Sequence, residues 1–336
     1  MSVLFRDLSG GPICPQGSVA CIGAFDGLHR GHRALLRHAR ARADARGLPL
    51  AALSFEPLPR EFFAPGDRPP RLMLPRAKFE GLREAGADAV GLLRFDARMA
   101  AMSPEAFAGQ VLAARIGARE VWVGPEFRFG HRRAGDLGML QALGARFGFE
   151  AGAIEPVQLD GARVSSTRIR QALSTGDFDA AAHLLGAPYA ISGRVVHGRA
   201  LGRKLGYPTA NLRFGGKVPA LRGIYATWVH GVGDVPMASV SSFGTRPTVY
   251  GTEPLLEAHL FDFDGDLYGR RIAVEFVARL RDEEKFDDLP ALVEQMHRDA
   301  AQARALLAAA PLAAAPPAAR IDAHLPHTAS PRQARP

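Results

Sequence analysis

The sequence predicts two domains of different fold class: an α/β domain with a Rossmann-like parallel sheet, followed by an all-β domain that forms a small antiparallel barrel. At 336 residues, the chain is longer than one hydrophobic core usually serves. In its first half, short apolar segments alternate with amphipathic helical patterns, which is typical of a parallel sheet covered by helices. From about Ala190, consecutive β-type segments with Gly- and Pro-rich turns replace the helical patterns, which is typical of a barrel.

The α/β domain is predicted from five apolar segments. After the first segment, apolar residues recur at helical spacing from Leu28 to Ala43. Ser103-Pro104-Glu105 opens a later helix, with serine as N-cap and proline in the first turn. Sheets of this kind bind ligands at the carboxyl ends of their strands, so a site is expected there. The predicted strands are residues 18–25, 50–55, 88–95, 119–124 and 149–157.

The barrel is predicted from five further strands and a closing helix. Asp264-Gly265 is a tight-turn signal between the last two strands. The helix is expected over residues 289–307, and the Ala- and Pro-rich segment 308–336 is expected to be disordered. The predicted domains are therefore residues 1–186 and 187–307, followed by a tail. The predicted barrel strands are residues 190–197, 223–229, 235–241, 255–263 and 271–280.

Charge and composition restrict the classes of ligand. A net charge of +8 and a pI near 10.0 favour polyanions such as nucleotide phosphates or nucleic acid. The arginines are dispersed along the chain, which speaks against nucleic acid. Cys14 and Cys21 have no spacing that suits zinc. Without a signal peptide or transmembrane pattern, a cytoplasmic protein is expected.

The most informative stretch is Gly23-Ala24-Phe25-Asp26-Gly27-Leu28-His29-Arg30-Gly31-His32. A strand ends, glycines permit a tight turn, and a helix begins whose N–H groups could bind phosphate oxygens. Alternatively, the two histidines only cap the helix and bind no phosphate. The stretch resembles the HxGH signature of the nucleotidyltransferase superfamily, where both histidines stabilise charge at the α-phosphate. Pantetheine-phosphate and nicotinamide-mononucleotide adenylyltransferases are similar at this point, so the signature alone does not name the substrate.

Three later motifs narrow the resemblance to the bacterial FAD synthetase module. They begin at Phe55, Val123 and Ser165, and they are similar to FEPHP, GxDFRFG and SSTxIR. The family's histidine between the prolines is Leu58 here, and its aspartate before FRFG is Glu126. The resemblance implies that ATP contacts Gly23, Phe25, Asp26, Gly27, His29, His32, Ser166, Thr167 and Arg168. It implies that the flavin contacts Pro57, Pro59, Glu126 and Phe127, with His29 and His32 as catalytic residues.

A second motif set begins at Gly193. The stretch from Leu201 to Leu212, LGRKLGYPTANL, resembles the signature of the riboflavin kinase family. Thr209 and Asn211 carry oxygens suited to a hard cation beside phosphates, so they are the predicted metal ligands. Alternatively, the stretch Pro208-Thr209-Ala210-Asn211 is a turn at an edge strand and binds no metal. The resemblance implies that ATP of the kinase contacts Gly198, Gly202, Arg203, Leu205, Gly206, Pro208, Thr209 and Asn211.

A block from Glu257 to Gly269 resembles the kinase family's ExHxxDFxxDLYG segment. Phosphorylating a hydroxyl needs an acceptor for its proton, and the resemblance implies that Glu257 is this catalytic base. Alternatively, Glu257 is a strand residue that faces solvent and has no catalytic role. His259 suits a structural role equally and stays outside the catalytic set. The family's asparagine before a hydrophobe–Gly pair appears as Ser242.

Together the resemblances imply a bifunctional riboflavin kinase/FAD synthetase that uses ATP and Mg²⁺. Its partners would be riboflavin, FMN, FAD and ATP, without nucleic acid or membrane, in a monomer or weak homo-oligomer. Two alternatives remain open. One is a riboflavin kinase whose adenylyltransferase head is impaired, suggested by Leu58 and Glu126. The other is a non-enzymatic basic protein that binds nucleotides or nucleic acid, suggested by the charge.

Overall fold

The computed structural model describes residues 2–64, 66, 68–198, 201–248 and 251–310. Within these ranges, a six-stranded parallel sheet is followed by a closed six-stranded antiparallel barrel, which confirms the predicted fold class. The strands are β1 (Val3–Phe5), β2 (Ser18–Ile22), β3 (Leu50–Glu56), β4 (Ala89–Arg94), β5 (Ala118–Val123), β6 (Glu150–Ala153), β7 (Gln158–Leu159), β8 (Ala162–Arg163), β9 (Ala190–Val196), β10 (Ala210–Arg213), β11 (Gly223–His230), β12 (Met237–Thr248), β13 (Gly251–Leu260) and β14 (Arg271–Arg281).

Ten α-helices occur in the same ranges, together with a π-helical segment Phe107–Arg115 and a 3₁₀ turn His131–Arg133. None of these helices combines the length and hydrophobicity needed to cross a lipid bilayer. The α-helices are α1 (Arg30–Arg46), α2 (Pro59–Phe63), α3 (Pro75–Glu84), α4 (Ala97–Ala100), α5 (Pro104–Ala106), α6 (Leu137–Phe147), α7 (Ser166–Ser174), α8 (Phe178–Leu185), α9 (Leu201–Lys204) and α10 (Leu289–Ala309).

The parallel sheet has the strand order β1-β4-β3-β2-β5-β6. All five residues of β2 are buried, because helices cover both faces of the sheet. Val19 and Cys21 face α1 on one side, and Ala20 and Ile22 face the π-helical segment on the other. The chain leaves β2 for β3 on one side and reaches β5 on the other, so the order reverses between β2 and β5. Ligands of such sheets bind at this reversal.

The barrel closes in the order β10-β13-β12-β11-β14-β9, with antiparallel pairs throughout. Its core continues beyond the barrel into helices α7 and α8, which lie between the parallel sheet and the barrel in the chain. Leu173 and Phe178, for example, belong to the same buried cluster as Tyr225 and Phe276, and the rings of Phe178 and Phe276 stack 6.0 Å apart. Helix α10 packs on the outside through Ala303 and Leu307.

Polar contacts also join the two halves. The backbone N–H of Arg71 donates to the Val218 carbonyl at 2.7 Å, and Arg271 on β14 pairs with Glu80 on α3 at 2.9 Å. Leu72 is part of the core shared with the barrel. The sheet and the barrel therefore meet along an apolar core flanked by hydrogen bonds and ion pairs.

Several predicted boundaries differ from the observed ones. Strands β1, β7, β8 and β10 were not predicted, and helix α10 extends to Ala309, so the first two residues of the predicted tail are helical. The expectation of disorder for residues 311–336 lies outside the described residues. Three arginines of α1 pair with carboxylates: Arg40 binds Asp88, and Arg42 and Arg46 both bind the buried Glu120. Cys14 and Cys21 are free and buried.

Candidate active sites

A turn with left-handed backbone joins β2 to α1 at the reversal of the sheet. Phe25 and Leu28 have φ of 46° and 45°. Helix α1 begins at Arg30 with His29 as its N-cap, and Nδ1 of His29 accepts a hydrogen bond from the His32 backbone N–H at 3.2 Å. Because β2 ends at the carboxyl edge, the N-terminus of this 17-residue helix lies there too. Its N–H groups and helix dipole favour an anion.

The two histidines of this turn are stacked and neutral. Their ring centroids lie 3.7 Å apart with planes 14° from parallel. Burial, with the charge of Arg163, lowers the pKa of His29 from 6.5 to about 4, and burial next to His29 puts the pKa of His32 well below 6.5. Because Nδ1 of neutral His29 is an acceptor, its proton lies on Nε2, which can donate to a phosphate oxygen. Within the described ranges, buried Nδ1 of His32 has no hydrogen-bond partner.

The carboxylate of Asp26 holds protein groups. It accepts hydrogen bonds from the backbone N–H groups of Leu72 and Met73 at 3.1 Å, and it pairs with Arg170 at 2.6 Å. The side chain is buried, with 1% of the residue exposed. Asp26 therefore ties the β2–α1 turn to residues 70–73. Gly23 and Gly27 flank it in the same turn, and Phe25 is buried with its ring edge against His32.

The start of α7 is bonded to the same turn. Ser165 is the N-cap, accepting from the Arg168 N–H, while the Ser166 hydroxyl donates to the Asp26 carbonyl at 2.9 Å. Thr167 is exposed. The Arg168 guanidinium donates to three carbonyls of the β7–β8 hairpin, at 3.0 to 3.3 Å. Of the three predicted residues, Ser166 is therefore bonded to the turn, whereas the Arg168 side chain holds the hairpin.

The loop after β3 is held by a cluster of charges. Pro59 is the first residue of α2, and Leu58, where the family has histidine, is buried. Fully buried Arg71 binds Glu56 and Glu61 at 2.6 Å, and the Leu58 N–H donates to Glu61 at 2.9 Å. Although burial alone would raise it, Arg71 holds the pKa of Glu61 at about 2. These contacts fix the segment 56–61, which includes Pro57, at the carboxyl end of β3.

Aromatic side chains cluster beyond β5. Phe127 stacks on Phe129 with ring centroids 5.5 Å apart, and Phe129 contacts Phe107 of the π-helical segment. Glu126 is exposed and pairs with Arg163 at 2.5 Å. The aromatic faces can pack against a planar ring, and the Glu126–Arg163 pair brings a cation near the histidine stack. Both features lie at the same edge of the sheet as the β2–α1 turn.

In the barrel, the PTAN stretch runs into β10, and Asn211 lies opposite Glu257 on the neighbouring strand β13. Asn211 is buried, and its Nδ2 donates to the Thr209 carbonyl at 3.1 Å. Asn211 Oδ1 is buried without a hydrogen-bond partner within the described part of the chain. A Cβ at Gly198 would approach the Asn211 amide to 2.7 Å, so the close approach of this loop requires glycine. An amide oxygen in this position suits a hard cation.

Two cavities adjoin the PTAN stretch. The first, of about 340 Å³, has an apolar wall that includes Leu205, Ile224 and Met296 and a polar wall that includes Glu257, His259 and Asp299. The second, of about 450 Å³, is lined by Arg203, Pro208 and the turn around Asp264. Thr209 lines both. The two cavities therefore adjoin at Thr209, and Glu257 lines the first of them.

The remaining predicted residues of this loop lie around the first cavity. Gly202 and Leu205 line it, and Gly206 lies in an adjoining depression with Tyr207. The Tyr207 hydroxyl bonds Nδ1 of His297 on α10 at 2.6 Å, and His259 Nδ1 contacts the Pro208 carbonyl at 2.9 Å. Through Tyr207, the segment before β10 is thereby joined to helix α10, which lines the first cavity.

Sequence reasoning missed several charged residues at the first site, among them Arg71, Arg163, Arg170 and Lys78. Lys78 is fully buried, and its Nζ donates to the Ala24 carbonyl at 2.8 Å and to Ser54 Oγ at 3.2 Å. Burial, with the charge of Arg71, lowers the pKa of Lys78 from 10.5 to about 8. Its position four residues before Leu82, on the apolar stripe of α3, is the signal that would have indicated it. Arg170 is the arginine of the SSTxIR motif, whereas Arg71 and Arg163 carry no comparable pattern.

The fold and sites define a nucleotide-dependent transferase with a nucleotidyltransferase-type domain and a barrel that carries a second site. Residues 12–168 match the family model described as FAD synthetase, and residues 185–307 match that described as riboflavin kinase. The chain therefore belongs to the bifunctional riboflavin kinase/FMN adenylyltransferase family.

Individual relatives agree with this assignment. The bifunctional riboflavin kinase/FMN adenylyltransferase of Escherichia coli (strain K12) is 44% identical over 289 residues, covering 86% of this chain and 92% of that protein. The protein of the same name from Pseudomonas fluorescens is 45% identical and covers 87% of this chain and 94% of its own. A crystal structure described as a macrolide-efflux protein from Streptococcus pneumoniae superposes with a TM-score of 0.71 at 31% identity, covering 89% of this chain and 97% of that one. The likeness thus extends over both domains.

Proposed function

We propose that the chain phosphorylates riboflavin to FMN in the barrel and adenylylates FMN to FAD at the parallel sheet, with ATP as the donor in both steps. The observation that carries the proposal is that one chain combines a histidine stack at a helix N-terminus with a barrel whose two cavities meet at Thr209 beside Glu257. The names of the Escherichia coli and Pseudomonas fluorescens relatives state both activities.

In the kinase step, the apolar cavity suits the flavin ring and the polar cavity suits ATP. Glu257 accepts the proton of the terminal ribityl hydroxyl, whose oxygen forms a bond to the γ-phosphorus. The bond from the γ-phosphorus to the bridging oxygen breaks, and ADP leaves with that electron pair. Arg203, at the polar cavity, offsets charge on the phosphates.

Mg²⁺ is part of the proposal because the residues present fit it. Asn211 Oδ1, buried without a hydrogen-bond partner among the described residues, and the Thr209 hydroxyl would hold the ion. When bound, Mg²⁺ offsets negative charge on the transferred phosphoryl group. Asn211 Nδ2 donates to the Thr209 carbonyl and so orients the amide oxygen.

In the adenylylation step, a phosphate oxygen of FMN attacks the α-phosphorus of ATP, the α–β bridging bond breaks, and pyrophosphate leaves. His29 Nε2–H and the first N–H groups of α1 donate to the phosphate oxygens that gain charge. The neutral His32 ring stacks on His29 and fixes its orientation. Phe127 and the segment Pro57–Pro59 offer the surfaces on which the flavin packs, and Glu126 orients Arg163.

The experiment is to incubate purified protein with riboflavin, ATP and Mg²⁺, and separately with FMN, ATP and Mg²⁺, and to separate the flavins by chromatography. FMN followed by FAD in the first incubation, with FAD and pyrophosphate in the second, is the expected result. FMN without FAD in either incubation would favour a kinase with an impaired second head, and would point to Leu58 and Glu126. No conversion in either would refute the proposal.

The proposal also covers the ligands of the chain and its assembly. The flavins and ATP are the expected ligands, nucleic acid is not, and the expected assembly is a monomer or weak homo-oligomer. Sedimentation of the purified chain tests the last point. Binding to duplex DNA that persists at physiological salt would contradict the second.

A further inference from the structure

A turn of the barrel reaches the adenylyltransferase site. Phe214 and Lys217 close it with an N–H to carbonyl hydrogen bond of 3.1 Å, and Gly215 and Gly216 at its centre have φ of 60° and 70°, which glycine tolerates best. The next two residues pair with the backbone of Arg71: the Arg71 N–H donates to the Val218 carbonyl at 2.7 Å, and Arg71 bridges to Pro219. The turn is thus docked on the residue that holds the loop after β3.

Lys217 completes the charge balance of that loop. Its Nζ lies 2.6 Å from Glu56 Oε1 and 3.3 Å from Glu61 Oε2. Arg71 binds the same two carboxylates, so two acids face two bases in a largely buried cluster. Without Lys217, the two carboxylates would share one guanidinium, and the bonded groups would carry one excess negative charge. Lys78 acts on both carboxylates only at longer range, because its Nζ bonds uncharged groups. An uncompensated charge at a buried position is strongly unfavourable.

The position of the cluster links it to flavin binding. Glu56 is the last residue of β3, and the segment Pro57–Pro59 follows it at the carboxyl edge, next to the β2–α1 turn. An excess negative charge there would repel the phosphate of FMN. Repulsion between Glu56 and Glu61 would also displace Glu61, which accepts the hydrogen bond from the Leu58 N–H that orders the segment.

We propose that Lys217, a residue of the kinase barrel, is a positioning residue for FMN adenylylation: it holds the Glu56–Glu61 segment in the conformation that binds FMN. The inference rests on the function proposed above. The segment binds FMN in the ground and transition states alike, so losing its order raises KM for FMN and leaves kcat nearly unchanged. The kinase reaction does not use Lys217.

The chain offers a matched control. Arg271 on the barrel pairs with Glu80 on α3 at 2.9 Å, and the two side chains are 23% and 19% exposed, against 19% and 20% for Lys217 and Glu56. Arg271→Gln therefore removes an ion pair between the same two domains without touching the loop. A general effect of weakening the domain contact would appear equally in both variants.

The test compares wild type, Lys217→Met, Lys217→Arg and Arg271→Gln in FAD formation from FMN and in FMN formation from riboflavin. Lys217→Met should raise KM for FMN about tenfold with kcat changed less than about twofold. Lys217→Arg should restore KM, because a guanidinium keeps the charge. Arg271→Gln should match wild type in both reactions. Adding Glu56→Gln to Lys217→Met removes the excess charge and should lower KM again.

Each other outcome decides against the inference. An unchanged KM for FMN in Lys217→Met, or an equal rise in Arg271→Gln, would overturn it. A Lys217→Met variant that loses kinase activity as well would show that the residue supports the whole fold, which also overturns it. If wild type itself fails to convert FMN to FAD, the proposed function of the sheet domain fails instead. The two failures are therefore distinguishable.

Discussion

Replacing Glu61 by glutamine tests the energetics of the loop after β3. In the folded chain the pKa of the Glu61 carboxyl is held at about 2, against 4.5 ordinarily, by Arg71 and by the Leu58 N–H, against the opposing effect of burial. That difference corresponds to about 3 kcal/mol of folding free energy at neutral pH, since each pH unit is worth about 1.4 kcal/mol. Glu61→Gln should lower the free energy of unfolding at pH 7 by about this amount.

The pH dependence gives the sharper result. A carboxyl whose folded pKa is depressed stabilises the protein above its unfolded pKa, and the stabilisation is lost as pH falls through the folded value. The difference between wild type and Glu61→Gln should therefore shrink to about 1.5 kcal/mol at pH 3. Urea unfolding followed by circular dichroism measures both.

A control fixes the scale of the comparison. Glu105 forms an ion pair with Arg146 at 2.6 Å, but the two side chains are 56% and 64% exposed. Glu105→Gln should change the free energy of unfolding by less than about 0.5 kcal/mol at either pH. A loss in Glu61→Gln as small as that in Glu105→Gln, or one that does not change between pH 7 and pH 3, would refute the role of the buried charge cluster.

Four further predictions concern the two sites. Glu257→Gln should slow FMN formation by at least about 10²-fold and spare FAD formation from FMN, because only the kinase step needs this base; separated flavins measure both. His32→Ala should slow FAD formation from FMN by about 10²-fold and spare FMN formation from riboflavin, in the same assay. The pKa of His29 is about 4 in the folded chain and 6.5 in the unfolded chain, so wild type loses stability as pH falls below 6.5. Between pH 8 and pH 5, the free energy of unfolding of wild type should therefore fall by about 2 kcal/mol more than that of His29→Gln, as measured by urea unfolding. Tyr207→Phe removes the bond to His297 and should lower the barrel's free energy of unfolding by about 1 kcal/mol.

Each of these has a result that contradicts it. Loss of both activities in Glu257→Gln or His32→Ala would argue against separate sites. A His29→Gln variant whose stability follows that of wild type between pH 8 and pH 5 would mean that His29 titrates normally in the folded chain. An unchanged Tyr207→Phe variant would mean that α10 does not depend on the hydroxyl.

Local sequence signals predicted most of the fold. The apolar run ending near Phe25 and the helical spacing after it gave β2 and α1, because strand and helix periodicities are properties of neighbouring residues. The missed strands are short: β1 has three residues, one of them buried, β7 and β8 have two each, and β10 has four within a stretch interpreted as a ligand-binding motif. Short segments carry too few repeats for periodicity to identify them.

The sequence motifs indicated where the candidate site residues lie in the fold, but not which groups of the chain they contact. The HxGH turn indicated where His29 and His32 lie, but nothing local indicated that Asp26 would bind groups 46 and 144 residues away. Likewise Arg168, predicted to contact phosphate, donates to the β7–β8 hairpin. Partners set by the tertiary fold have no counterpart in the spacing of a motif.

Helices α7 and α8 share a hydrophobic core with the barrel, and this core limits where the chain could be cut into two independently folding proteins. A cut near Gly186, at the start of the region that matches the riboflavin kinase model, would split one core between two fragments. Leu173 and Phe178 would be exposed on one fragment, and Tyr225 and Phe276 would lose their packing on the other. Separating the two halves into independent proteins, in evolution or in the laboratory, would therefore require new polar residues on both surfaces.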